Sequence, residues 1–324
     1  MITTKFMGLT LASPIIAGSS SLTSNFNNIK SFADAGVGAV VLKSVFQEQI
    51  SGEVNSMLSY ADSPESLDYL SAYVKDNDIN KTINLIKECK EKLSIPIIAS
   101  INCTSRGEWV EFCKRMEYAG ADAIELNIFH LPISKNESSS SIENSYLNIA
   151  SAVVESVKIP VCVKLSSRFT NHLHLINELY NRGVKAVTMF NRFWEPDFDI
   201  EKRIITSQEI LSNHSEMRSN IRLIGQASAE IQTIDYCAST GVSTWEDIVK
   251  FILAGASTVQ LCSALYRDGA HIIKNSNNKI ERWMKSQSLE SIGEFKGSLN
   301  FSNTTDNIAY ERCQFMKQFG GYSN

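Results

Sequence analysis

Four segments of this chain repeat one form: a helix end closed by glycine, a short turn, then an apolar run rich in β-branched residues. They are Ala35-Gly36-Val37-Gly38-Ala39-Val40-Val41, Ala119-Gly120-Ala121-Asp122-Ala123-Ile124-Glu125, Arg182-Gly183-Val184-Lys185-Ala186-Val187 and Ala254-Gly255-Ala256-Ser257-Thr258-Val259. A second form, Ile95-Pro96-Ile97 and Ile159-Pro160-Val161, opens two further runs; proline there stops a helix and starts a strand. Strands alternating with helices make βαβ units and a parallel sheet. The unbroken apolar character of Val161-Cys162-Val163 and Ala39–Leu42 fits strands buried on both faces. The expected strands are Pro14–Ala17, Ala39–Lys43, Ile97–Ile101, Ala123–Asn127, Val161–Leu165, Ala186–Phe190, Thr233–Ala238 and Thr258–Cys262. Eight such strands in roughly 250 residues match an α/β fold of the (β/α)8 TIM-barrel type. An open doubly wound sheet is the alternative, but no G-x-G-x-x-G follows the first strand.

Composition narrows the function. A hydrophobic content of 43% suits a globular core, and the net charge of −4 with no Lys/Arg run argues against nucleic-acid binding. No apolar run is long enough to span a membrane, and the first 21 residues carry one Lys and are interrupted by Gly8 and Pro14, unlike a signal peptide. The seven cysteines are odd in number, scattered and without a CxxC pair, as expected of reduced thiols in a cytoplasm with no zinc or iron–sulfur site.

Three connections, Ser44–Ile79, Leu131–Ile142 and Asn191–Ser207, exceed ordinary loop length, and all follow strands, on the face where barrels place active sites. Pro64-Glu65-Ser66-Leu67 resembles a helix start, and Ser138–Ser141 reads as a mobile loop or a lid. We expect a barrel over residues 1–297 and a tail over 298–324, with a helix at Tyr310–Phe319 packed on the barrel or on a partner subunit.

Chemistry is expected where Thr233–Gly269 reads strand, turn, helix, strand, turn, helix. Ser239-Thr240-Gly241 turns tightly after one strand; Ser243 or Thr244 then caps a helix that carries Glu246 and Asp247 in its first turn and ends at Gly255. The next strand runs through Cys262 into Ser263-Ala264, with a further helix starting near Asp268. Free amides and helix dipoles at two such turns suit a phosphate; the alternative is small residues chosen for packing. Polar residues also mark strand ends: Lys43, Asn127, Lys164 and Asn191. Lysine in an apolar strand needs an anion or acceptor, either a shared ligand or a core carboxylate such as Glu125. The asparagines offer donor and acceptor to a heterocycle edge, or cap loops.

Leu11–Gly18, Val41-Leu42-Lys43-Ser44, Glu125-Leu126-Asn127, Val163-Lys164-Leu165, Phe190-Asn191-Arg192, Ala238–Val242 and Leu253–Ala256 followed by Val259–Tyr266 occur in one order. Over about Phe6 to Gly297 this ordered set resembles the dihydroorotate dehydrogenases, FMN-containing barrels that oxidise dihydroorotate to orotate in pyrimidine synthesis. The resemblance implies that Ala17 and Gly18 lie along the flavin, that Lys43 with its neighbour Ser44 and Lys164 contact its polar edge and ribityl chain, and that Asn127 sits near flavin and substrate. It further implies that Ser239, Thr240, Gly241, Cys262, Ser263 and Ala264 hold the phosphate. Homodimers are common among soluble members of the family.

The departures concern the substrate side. Where the family has Asn-x-Ser-Cys-Pro-Asn or its Ser variant, this chain has Asn127-Ile128-Phe129-His130-Leu131-Pro132, which puts His130 at the base position. The Asn-x-x-Gly-x-x-Asn segment is absent from Glu53–Tyr60, Arg192 replaces a small hydroxyl residue, and Thr240 replaces a glycine. His130 is therefore either the catalytic base, with an imidazole suited to neutral pH, or an exposed loop histidine. Arg192 pairs either with a substrate carboxylate or with Glu195 or Asp197. The expected activity is that of an FMN-dependent dehydrogenase with an altered substrate; the alternatives are a non-catalytic flavoprotein and a barrel holding another phosphate ligand.

Overall fold

In a computed structural model of the chain, residues 1–46, 79–102, 106–193, 195–207, 209–305 and 307–311 are described. The elements are β1 (Thr4–Phe6), β2 (Leu9–Leu11), β3 (Ile15–Ala17), α1 (Phe26–Asp34), β4 (Ala39–Val41), β5 (Val45–Phe46) and α2 (79–92). There follow β6 (Ile97–Asn102), α3 (Arg106–Tyr118), β7 (Ala123–Asn127), α4 (Ser139–Val154), β8 (Val161–Leu165), α5 (His172–Asn181) and β9 (Ala186–Met189). The last third holds β10 (Pro196–Asp199), β11 (Ile204–Ser207), α6 (Met217–Glu230), β12 (Asp235–Ala238), α7 (Trp245–Ala254), β13 (Thr258–Leu261), α8 (Ser263–Asp268) and α9 (His271–Ser286).

All eight expected strands form, and they pair in parallel in the order β3, β4, β6, β7, β8, β9, β12, β13, with β13 returning to β3. The sheet is therefore a closed (β/α)8 barrel, and the open-sheet alternative is excluded. Strand side chains alternate between two faces, so each strand serves two cores. Ile15, Val40, Ile124, Val163, Val187 and Val259 face the helix layer, while Ile16, Val41, Ile98, Ala123, Cys162, Ala186 and Cys237 face inward. Phe6, Met7 and Leu11 join the inner group from the β1–β2 hairpin, which plugs the end where the strands begin. Met7 and Gly8 both have positive φ, 54° and 80°, as a tight two-residue hairpin with the twist of its strands requires. The Met7 amide donates to Asp235 Oδ2 at 2.8 Å and ties the plug to β12.

Boundaries correct several expectations. Ser138–Ser141 is not a loop: Ser138 caps α4, accepting from the Ser141 amide at 3.1 Å, and the following serines are its first turn. The strand expected from Thr233 begins at Asp235, and the helix expected near Asp268 begins at Ser263; Asp268 ends it and α9 starts at His271. Thr244, not Ser243, caps α7 in a capping box with Asp247. The Asn191–Ser207 connection holds the antiparallel β10–β11 hairpin. Pro64–Leu67, Glu53–Tyr60 and most of Tyr310–Phe319 lie outside the described residues. The start of the tail lies against α6 and α7: Leu299 N bonds Leu253 O, Phe301 N bonds Gly225 O, and Arg222 donates to Tyr310 O at 2.8 Å.

Candidate active site

Above the apolar plug the barrel interior turns polar. Continuing the inward alternation by two residues gives Ser100, Glu125, Lys164, Thr188 and Gln260, and all but Lys164 are 2% exposed or less. A polar layer inside an apolar barrel is costly unless paired. Here Glu125 Oε2 accepts from Gln260 Nε2 at 2.6 Å and from Thr188 Oγ1 at 2.8 Å, and Lys164 Nζ donates to Gln260 Oε1 at 3.1 Å. Lys164 Nζ also stands 4.0 Å from Glu125 Oε1. The lysine thus meets the core carboxylate and also lines the mouth. Cys162 and Cys237 lie below this layer; burial holds both thiols neutral, pushing Cys237 up to about 12.

At the strand ends, three expected residues, Ser44, Asn127 and Asn191, come together. Ser44 Oγ lies 2.7 Å from Ser100 Oγ and 3.1 Å from Ser19 Oγ, and Asn127 Nδ2 reaches Ser44 Oγ at 3.4 Å. Asn191 Nδ2 donates to Asn127 Oδ1 at 2.8 Å. β7 and β9 end on opposite flanks of β8, so a continuous polar line crosses the mouth. Gly18 adjoins it, with its amide on Leu261 O at 2.8 Å; a Cβ there would meet Gln260 Oε1 and Leu261 O at 3.3 Å. Ala17 belongs to the outward core, so only its main chain reaches the rim. Lys43 is half-buried, and no acceptor for its Nζ is recorded among the described residues.

Beside this line is a cavity of about 420 Å³ lined by Lys164, Gln260, Cys262 and the Ser239–Gly241 turn. The two expected phosphate turns meet there, joined by Ser212, which the sequence reading missed. Ser212 is 4% exposed; its amide and hydroxyl reach Ser263 Oγ at 2.9 and 3.0 Å, and its Oγ accepts from the Gly241 amide at 3.2 Å. Both terminal nitrogens of Arg267 hold the Ser212 carbonyl. The available signal was the capping box of Asn213 and Glu216 immediately after Ser212, at the end of an over-long loop on the active face. Ser239 N is used within the barrel, on Met189 O, and Thr240 Oγ1 turns to Phe190 O at 3.0 Å. The α8 geometry leaves the amides of Ser263 and Ala264 without intrahelical acceptors. Burial raises the Cys262 thiol, so it is a neutral lining group.

The remaining candidates lie on loops above the mouth. His130 Nε2 is 2.5 Å from Glu137 Oε2, with 43% of the His130 side chain exposed. The hydrogen bond to His130 is the main cause holding the Glu137 carboxyl below its usual range. No contact of His130 with Asn127 or Asn191 is recorded. Arg192 is held neither by Glu195 nor by Asp197: its Nε is 3.0 Å from Glu216 Oε2 and its Nη1 donates to Ile210 O at 2.7 Å. It braces the Ser212 segment, while Glu195 pairs with Arg168 at 2.7 Å. Phe129 packs on Phe193 with centroids 5.0 Å apart, so the loop after β7 leans over the loop after β9. Tyr146, fully buried, anchors the first loop by donating to Ile128 O. Tyr146→Phe leaves that buried acceptor unpaired; we expect a loss of about 1–3 kcal/mol by urea unfolding and faster amide exchange over residues 128–138.

A closed parallel barrel with its mouth lined by polar strand ends, and with two joined turns after its last two strands, is a (β/α)8 barrel with its polar cavity on the face where the strands end. The family model described as dihydroorotate dehydrogenase matches residues 1–284, and the chain belongs to that family. It is 27% identical to the dihydroorotate dehydrogenase B (NAD(+)) catalytic subunit of Thermoplasma volcanium, over 91% of this chain and 97% of that protein. It is 30% identical to the protein of the same description from Methanocella arvoryzae, over 82% and 88% of the two chains. With a dihydroorotate dehydrogenase A (fumarate) of Lactobacillus delbrueckii it shares 23% over 91% and 97%. No helix of the described residues is long and apolar enough to cross a membrane.

Proposed function

We propose that the chain is an FMN-dependent oxidoreductase acting on a CH–CH bond, with a substrate site altered from that for dihydroorotate. The observation that carries this reading is the Asn191–Asn127–Ser44 line at the rim, contiguous with Lys164 and a cavity that ends at the Gly241 turn and the first turn of α8. The donor set fits the cofactor. Lys164 has one recorded hydrogen bond for its three protons, and Ser20 Oγ, on the same cavity, is buried without a partner among the described residues. The first-turn amides of α8 and the Ser263 hydroxyl would hold the phosphate beside the Gly241 turn, whose Ser239 and Gly241 amides already bond Met189 O and Ser212 Oγ; Lys164 and Gln260 would meet the polar edge of the ring. FMN supplies a hydride acceptor when bound.

The residues of this chain supply orientation and proton handling. Asn127 and Asn191 present both donors and acceptors to a planar polar substrate, and their mutual bond fixes the amide orientations. His130 takes the proton that leaves beside the transferred hydride, and Glu137 stabilises the resulting imidazolium, as a carboxylate does in other His-based sites. Arg192 is already committed to Glu216, so its part is to hold the Ile210–Glu216 segment rather than to grip a carboxylate.

Missing partners for a polar substrate cost several powers of ten in discrimination, so dihydroorotate is expected to reduce the bound flavin slowly or not at all. Anaerobic stopped-flow mixing reads this directly. Fast bleaching that is lost in His130→Ala would make dihydroorotate the substrate and His130 the base; bleaching only by a related cyclic or carboxylate donor supports the altered site. A non-catalytic flavoprotein is the second reading, favoured by the engagement of His130 with Glu137 and its lack of recorded contact with the asparagines. Absence of reduction by every dihydropyrimidine tested would select it.

A further inference from the structure

The polar layer contains a titratable group that the proposed chemistry does not use. Glu125 is 2% exposed, and both of its recorded hydrogen bonds fall on Oε2. Among the described residues Oε1 has no hydrogen-bond partner, and its ion pair with Lys164 is stretched to 4.0 Å. Gln260 spans the gap, donating through Nε2 to the carboxylate and accepting through Oε1 from the ammonium. A carboxylate only accepts and an ammonium only donates, so this amide has a single satisfactory orientation. Lys164 and Gln260 line the cavity, and Glu125 lies behind them.

We propose that Glu125 is a positioning residue: through Gln260 it fixes Lys164 at the cavity wall, and its charge offsets that of Lys164 toward the bound flavin. The proposal rests on the flavin reading above. Little water screens charges in this layer, so a cation at the wall acts strongly on its ligand unless a nearby anion balances it. With Glu125 in place the wall presents a near-neutral pair. Without it, Lys164 presents a full positive charge, which favours the reduced flavin because that form carries more negative charge than the oxidised one.

The test uses the full-length protein with Glu125→Gln, which removes the charge at constant shape, and Glu125→Asp, which keeps it. Spectroelectrochemical titration of the FMN-loaded proteins is expected to show Glu125→Gln favouring reduced over oxidised flavin by at least tenfold, a rise of about 30 mV for a two-electron couple. Glu125→Asp is expected to stay near the parent. A second readout needs no flavin: reductive methylation of the apoprotein, mapped by mass spectrometry, should modify Lys164 several-fold faster in Glu125→Gln but not in Glu125→Asp. Equal behaviour of the two variants in both readouts would mean that Glu125 only fills space, and would overturn the proposal. If the parent takes up no FMN the functional reading fails, while methylation still decides whether Glu125 governs Lys164.

Discussion

Gly241→Ala is expected to abolish FMN retention and to cost roughly 2–5 kcal/mol of stability. Gly241 has φ +81°, a region disfavoured for any residue with a Cβ, and an added Cβ would lie 2.6 Å from Met217 N and 3.1 Å from Asn213 O. Both are backbone atoms, so the start of α6 has to move. The segment leading into that start carries Ser212, whose hydroxyl accepts from the Gly241 amide and whose amide reaches Ser263. Displacing it separates the two turns that form the proposed phosphate cradle. The measurement is flavin absorbance after gel filtration, together with a urea unfolding curve. Gly8→Ala is the control: its φ is +80° but nothing lies within 4 Å of the added Cβ. It should lose the strain energy alone and keep its flavin. Flavin retained by Gly241→Ala would show that the cradle lies elsewhere.

Lys164→Met is expected to remove FMN binding and to destabilise the barrel by about 3–5 kcal/mol, the range for breaking a buried ion pair on one side. Among the described residues Glu125 would lose its only cation, with Oε1 already unpartnered and Gln260 Oε1 left without its donor. Lys43→Ala should change stability by less than about 1 kcal/mol, since no acceptor for its Nζ is recorded among the described residues. Urea curves of the two variants, with flavin dissociation rates, distinguish a lysine built into the core from one waiting at the rim. Adding Glu125→Gln to Lys164→Met should recover much of the lost stability, because the unpaired charge is then gone. Failure to recover would assign the loss to packing of the lysine stem.

The sequence by itself determined the alternation of eight strands with helices, while closure into a barrel was decided by the pairing of β13 with β3. Repeated glycine-closed helix ends before apolar runs impose βαβ units, and strand periodicity placed all eight barrel strands to within about two residues. It also marked Asn127, Lys164, Asn191 and the two turns, because a polar residue at the end of an apolar strand is conspicuous. Only the tertiary structure decided who partners whom. Lys164 and Glu125 are 39 residues apart in the numbering, and in the register of their adjacent strands Glu125 stands opposite Cys162 and Lys164 opposite Asn127; the sequence offered Glu125 as one possible partner, and only the inward packing that brings the two side chains to 4.0 Å selects it. Ser212 was not legible because its role is a closure between two turns 29 and 51 residues further along the chain. Arg192 had several acidic candidates nearby in sequence, and the choice of Glu216 followed from how the loop after β9 folds back onto α6. The serine run before α4 misled for a local reason: serine favours both loops and helix caps, and only the packing of Tyr146 and Leu147 into the core settles that the segment is a helix start.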